Sequence, residues 1–227
     1  VPGYRLGQQQ YRRISAMAVN SSGYPATLTI DYPDRPLDRL TTFFRLITII
    51  PIAIVLDMVS GSVYQWTVDN VVYQSGGAGG ILIMAVLVMI LFRQKYPRWW
   101  FDWNLALARF GYRVSAYMSL LRDEYPSTDE EQAVHLNLEY PDAEKDIDRG
   151  MPLVKWFLAI PHYIVLAFLS VAAVVSVIIA WFAIIFTGRY PVGLFNFVTG
   201  VLRWSLRVSA YAALLITDRY PPFSLEE

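Results

Sequence analysis

WFLAIPHYIVLAFLSVAAVVSVIIAWFAIIF, residues 156–186, carries no formal charge if His162 is neutral. A helix needs about 20 apolar residues to cross the hydrocarbon core of a bilayer. The run is long for one ordinary span and short for two. Two tight helices of roughly 15–17 residues with snorkelling ends fit it as a hairpin. The turn would fall near Ser170–Ser176. Upstream, the same plan is more open: one apolar stretch covers Leu40–Ser60 and a second covers Gly79–Phe92. The connecting stretch 57–80 has only Asp57 and Asp69 as charges and includes Gly76-Gly77 and Gly79-Gly80, a flexible loop signal.

All 19 lysines and arginines lie outside these apolar hairpins or at their edges. Arg35, Arg39 and Arg45 precede the first hairpin, and Arg93, Lys95 and Arg98 follow it. Lys145, Arg149 and Lys155 precede the second, and Arg189 follows it. The positive-inside rule then predicts four membrane spans with both termini and the central linker in the cytoplasm. A single long helix at 156–186 would leave basic residues on both sides, so the hairpin is the expected form. A soluble protein with very apolar core helices is the rival reading.

Arg-Val-Ser-Ala-Tyr occurs twice, at Arg113–Tyr117 and Arg207–Tyr211. The likeness extends outward. Asp31-Tyr32-Pro33-Asp34 matches Glu139-Tyr140-Pro141-Asp142, and Arg45 before Ile50-Pro51 matches Lys155 before Ile160-Pro161. Leu120, Leu121, Asp123 and Tyr125-Pro126 match Leu214, Leu215, Asp218 and Tyr220-Pro221. The reading is two tandem repeats, at 26–126 and 133–227, joined by an acidic linker at 127–132 and preceded by a cytoplasmic extension at 1–25 without a cleavable signal pattern.

Each repeat is expected to hold a short strand, a transmembrane hairpin and an amphipathic helix, which makes the chain a mainly α integral membrane protein. Leu28, Ile30 and Tyr32 alternate with polar residues, as do Val134, Leu136, Leu138 and Tyr140. These read as two strands that could pair into a small ribbon. Trp100, Trp103, Leu107, Phe110, Val114, Tyr117 and Leu121 recur at helical spacing, and so do Leu194, Phe197, Val201, Trp204, Val208, Tyr211 and Leu215. Arg109 and Arg113, and likewise Arg203 and Arg207, stand four apart on another face. Such helices suit the interface plane, with arginines among phosphates and Trp99, Trp100, Trp103 and Trp204 as interfacial anchors. Packing of the apolar stripe on the hairpin is the equally weighted alternative. Seven Tyr-Pro pairs suit corners where the chain enters or leaves the membrane.

More than half of the 227 residues are hydrophobic, and 17% are charged against about 25% in a soluble average. With no cysteine, thiol nucleophiles and zinc–thiolate sites are excluded. No catalytic constellation and no metal site emerges. Basic residues are spread along helices, so nucleic acid is not an expected partner. His162, about one turn inside an apolar helix, is a candidate ligand for haem, pigment or quinone, although the matching position in the first half is Ile52. A neutral histidine bonded to a neighbouring helix is the favoured alternative.

The stretches 156–163, 186–191, 202–204 and 217–223 resemble a bacterial membrane-protein family known as domain of unknown function 4389. The similarity is close in the second half and looser in the first. It implies a bacterial cytoplasmic membrane and brings no activity or catalytic residues. The expected function is a non-catalytic accessory or scaffold subunit of a membrane assembly. Its partners would be anionic lipids held by Arg109, Arg113, Arg203 and Arg207, and other integral membrane subunits or a second copy of the chain. A small transporter or lipid-handling protein is the alternative.

Overall fold

The computed structural model describes residues 23–60, 64–68, 71–75 and 79–226. Its centre is an antiparallel ribbon of β1 (Ala26–Ile30) and β4 (Val134–Leu138), paired with Leu28 opposite Leu136. Period-two alternation explains the pairing. Ala26, Leu28, Ile30, Val134, Leu136 and Leu138 are all buried, and in this register they share one face. A lone two-stranded ribbon is marginal in water. Here α5 (Arg98–Met118) packs on β4 and α8 (Val192–Ala212) packs on β1.

Both helices begin at a Tyr-Pro pair, with Pro97 and Pro191 in extended geometry just before the first turn. Proline fits there because the first helical donors have no intrahelical partner. Two tyrosines of Tyr-Pro pairs, Tyr96 and Tyr140, tie their corners. The Tyr96 hydroxyl donates to the Leu214 carbonyl at 2.7 Å, and Tyr140 donates to the Tyr96 carbonyl at 2.6 Å. Burial raises the pKa of Tyr96 and Tyr24 far above the ordinary phenol value, so both remain hydrogen-bond donors.

The rest of the first half comprises α1 (Arg39–Phe43), α2 (Arg45–Thr48), α3 (Ile50–Ser60), an antiparallel pair β2 (Tyr64–Val68) and β3 (Val71–Ser75), and α4 (Gly79–Arg93). In the second half α6 (Met151–Leu158) leads into α7 (Ile160–Thr187).

These elements correct the expected membrane plan. Residues 156–186 form no hairpin: α7 is one helix of 28 residues. No glycine, proline or charged residue interrupts it after Pro161. Ser176, placed at the expected turn, instead donates its hydroxyl to the Ala172 carbonyl at 2.8 Å and stays helical. The helix stops at Gly188, whose φ of 73° is open to glycine. In the first half α3 and α4 have 11 and 15 residues. At 1.5 Å per residue they are only about 16 and 22 Å long, short of a hydrocarbon core of about 30 Å. Among the described residues one helix, α7, is long and apolar enough to cross a membrane. The four-span plan is therefore wrong. So is the plan of two tandem repeats, because a β-ribbon stands between α3 and α4 where the second half has continuous helix. Residues 1–22 of the expected extension, and Gly76-Gly77 of the expected loop, lie outside the described residues.

Only a stripe of α7 meets the body. His162, Ser176, Ala180 and Ile184 are buried along it, and Trp181 donates to the Thr42 carbonyl of α1 at 3.2 Å. The remaining faces, including Phe168 and Phe186 at about three-quarters exposure, point outward.

Candidate functional site

The four arginines singled out by spacing lie on α5 and α8 as expected, but their guanidinium groups turn toward backbone. Arg109 donates through Nε to the Leu136 carbonyl of β4 at 3.0 Å, and Arg203 donates through Nε to the Leu28 carbonyl of β1 at 2.9 Å. Each thus holds one strand of the ribbon on its helix. Arg113 donates to the Ser127 carbonyl at 3.0 Å, and Arg207 donates to the Ser224 and Glu226 carbonyls. Arg113 and Arg207 are buried. Burial, then the neighbouring Arg109 charge, pushes the Arg113 pKa down, while Asp129 and Glu131 pull it up. Charge-assisted bonds of this kind are strong. They favour a structural role for the four side chains over phosphate contact.

The tryptophans divide. Trp99 and Trp103 are exposed on α5, whereas Trp100 and Trp204 are buried. Trp204 donates its indole N–H to His162 Nδ1 at 3.1 Å. His162 is fully buried and stacks on Phe223, with ring centroids 4.0 Å apart, while the Tyr220 ring lies 4.7 Å away. Acceptance at Nδ1 places the proton of a neutral ring on Nε2, which has no hydrogen-bond partner among the described residues. His162 is thus bonded to the neighbouring helix α8 through Trp204 and covered by aromatic rings. Among the described residues no three histidine, aspartate or glutamate side chains converge as metal ligands.

Two side-chain clusters escaped the sequence reading. Lys155 of α6 is fully buried, with Nζ 2.7 Å from Asp218 Oδ1, 2.7 Å from the Thr217 carbonyl and 5.3 Å from the centre of the Tyr211 ring. Burial pushes the Lys155 pKa down, and Asp218 opposes the shift. On the other side, Arg45 of α2 lies 2.6 Å from Asp123 Oδ1, bonds the Arg122 carbonyl and sits 3.9 Å over the Tyr117 ring. Tyr117 and Tyr211 are the last residues of the two pentapeptides. The second oxygen of each carboxylate accepts a backbone N–H, from Asp38 for Asp123 and from Asp148 for Asp218, both at 2.7 Å. Each cluster thus joins the end of a body helix to the segment that begins an outward apolar helix. The sequence held a signal: a cation and an acid recur at corresponding points in both halves.

The class defined by this geometry is a helical body around a two-stranded ribbon, with one long apolar helix laid open on its surface. Residues 151–224 match a family model described as "Domain of unknown function (DUF4389)". The match runs from α6 to the segment after α8 and occurs once, so it gives no second copy over 26–126. It includes Lys155, His162, Trp204 and Asp218. No curated protein and no solved structure matches the chain.

Proposed function

We propose that the chain is a membrane-embedded, non-catalytic scaffold subunit, anchored by α7. The outward faces of α7 are the observation that carries this reading. A soluble core helix of this composition is covered by protein, but most of α7 is uncovered. Contiguous apolar surface on this scale marks a lipid or protein contact. The scaffold half rests on how the body spends its polar groups. Arg109, Arg113, Arg203, Arg207 and Lys155 all hold the chain's own carbonyls. Outside α7, short helices also turn apolar side chains outward, among them Leu46, Met58 and Phe157. Elements too short to cross a bilayer alone suit packing against the spans of another subunit.

The test is alkaline extraction of membranes containing the full chain. Wild type is expected to stay with the lipid. A V171R/V175R/I178R variant alters three outward positions of α7, each costing about 2.5–3.5 kcal/mol at a helix centre, and is expected in the soluble fraction. Wild type released as a soluble monomer would overturn the membrane reading. Gentle purification that yields the chain alone, with no membrane subunit and no second copy, would overturn the scaffold reading.

A further inference from the structure

We infer that the cleft between residues 32–37 and the C-terminal end of α7 binds the phosphate of an anionic membrane phospholipid, an inference that extends the membrane reading of α7 to a defined lipid site. The cleft has a volume of about 350 Å³ and is lined by Arg35, Arg189 and the single acid Asp34. Arg39 completes the cluster. Its Nε and one Nη lie 3.8 and 3.9 Å from where a Cβ on Gly188 would stand. All three arginines are exposed, and among the described residues none of their side chains has a hydrogen bond or ion pair. Three guanidinium groups against one carboxylate leave the cleft strongly positive. This differs from Arg109, Arg113, Arg203 and Arg207, which donate to carbonyls of the chain.

The walls are fixed before any ligand arrives. Tyr32 donates its hydroxyl to the Tyr190 carbonyl at 2.5 Å, and the Leu37 N–H donates to the Gly188 carbonyl at 2.8 Å. Tyr32 also meets Phe195 edge-on at 5.0 Å. Gly188 is favoured here by its backbone rather than by space. Its positive φ strains any other residue, while a Cβ there would make only ordinary contact with Pro36 at 3.5 Å. Guanidinium groups suit a phosphate because their donors match its oxygens in pairs.

The surroundings favour a lipid over a soluble phosphate ester. Val192 lines the cleft and is exposed. Leu40, next to Arg39, and Phe186, two residues before Gly188, are exposed as well. The charge therefore sits where the apolar surface of α7 ends. Headgroup phosphate lies beside hydrocarbon at the same boundary, and basic residues at that level attract anionic lipid.

The probe is dihexanoyl phosphatidylglycerol, titrated below its micelle concentration into the full chain in a non-ionic detergent. Binding in this format does not depend on whether α7 enters a bilayer, so failure here and failure of the membrane reading are separate results. Saturable binding is expected, weakened on the order of 100-fold in R35Q/R39Q/R189Q. The charge-matched control R98Q/K145Q/R149Q should bind as wild type does. R35K/R39K/R189K should recover part of the loss, which distinguishes a charge effect from misfolding. Equal loss in the triple variant and the control, or no loss in the triple variant, would overturn the site. Inorganic phosphate or glycerol phosphate binding as tightly as the lipid would overturn the lipid assignment and give the cleft to a soluble phosphate.

Discussion

On α8, Tyr211 faces a lysine, and on α5, Tyr117 faces an arginine. The frames around the two cations are alike: a carboxylate within 2.7 Å, a carbonyl, and a pentapeptide tyrosine. The cations differ in what remains if the carboxylate goes. Arg45 lies close over its ring at 3.9 Å, keeps the Arg122 carbonyl, and spreads its charge over a planar group. Lys155 is a point charge with no exposure, a ring at 5.3 Å and one carbonyl. A buried ion pair is weak evidence for net stability, but breaking one leaves a costly charge. The second-half cluster should therefore be the brittle one, and it is also the one that fixes the entrance to α7.

Removal of one acid from each cluster tests that difference. Asp218→Ala strands the Lys155 ammonium, and a loss of about 3–5 kcal/mol is expected in denaturant unfolding of the detergent-solubilised chain. A K155M/D218L double variant should recover most of it, because two apolar groups leave no uncompensated charge. Asp123→Ala should cost less, about 1.5–3 kcal/mol, the range of a hydrogen bond to a charged group. Equal losses at the two acids would break the comparison. An unchanged D218A variant would show that the lysine cluster holds nothing.

The same two halves show what the amino-acid order made legible. Strands β1 and β4 and helices α5 and α8 were readable because each has one buried face and a clean period, two for the strands and 3.6 for the helices. The membrane plan failed where periodicity is silent. Residues 156–186 are apolar on every side, so spacing could not tell one helix from two, and a charge-placement rule was asked to choose. The rule preferred a turn at 170–176, where Ser176 instead bonds back to its own helix. In the first half the alternation of Tyr64, Trp66 and Val68 ahead of Asp69-Asn70 was a hairpin signal, overlooked because the flanking runs looked like spans. The arginines were legible as residues on a helix face. Their carbonyl acceptors come from distant chain, and any residue type supplies a carbonyl, so sequence carried no mark of them. Asp123 and Asp218 could have been paired with Arg45 and Lys155 from their matched positions alone.

A smaller contrast separates the two body helices. Counted from the shared pentapeptide, α5 carries Ala106 where α8 carries Gly200. The glycine admits the C-terminal segment. A Cβ on Gly200 would stand 2.8 Å from Leu225 Cβ and 2.9 Å from the Leu225 carbonyl oxygen. That segment also receives Arg203 at the same carbonyl, at 3.1 Å. Gly200→Ala is expected to displace it at a cost of roughly 1–3 kcal/mol, as for other overpacked contacts. Limited proteolysis should then cut after residue 219 faster than in wild type. Unchanged cleavage would mean that the segment yields to the methyl group without leaving α8.

The ribbon joins the halves, and a titrating contact on it gives the mildest prediction. His135 of β4 lies opposite Thr29 of β1, with Nε2 3.2 Å from Asp31 Oδ2. The hydrogen bond to Asp31 raises the His135 pKa above its ordinary 6.5. Burial opposes it, the Asp31 and Glu131 charges add to it, and Arg113 subtracts. A folded pKa above the unfolded one means that folding favours the protonated ring. The contribution is therefore complete below about pH 6.5, the unfolded value, and is lost as pH rises through the folded value. Unfolding midpoints measured across neutral pH should fall gently in wild type and lose that slope in Asp31→Asn. Because the contact is part-exposed, solvent screening keeps the effect below those of the buried clusters. A slope that survives D31N would assign the titration to the neighbouring Glu131, 3.8 Å from Nδ1, and E131Q would then remove it.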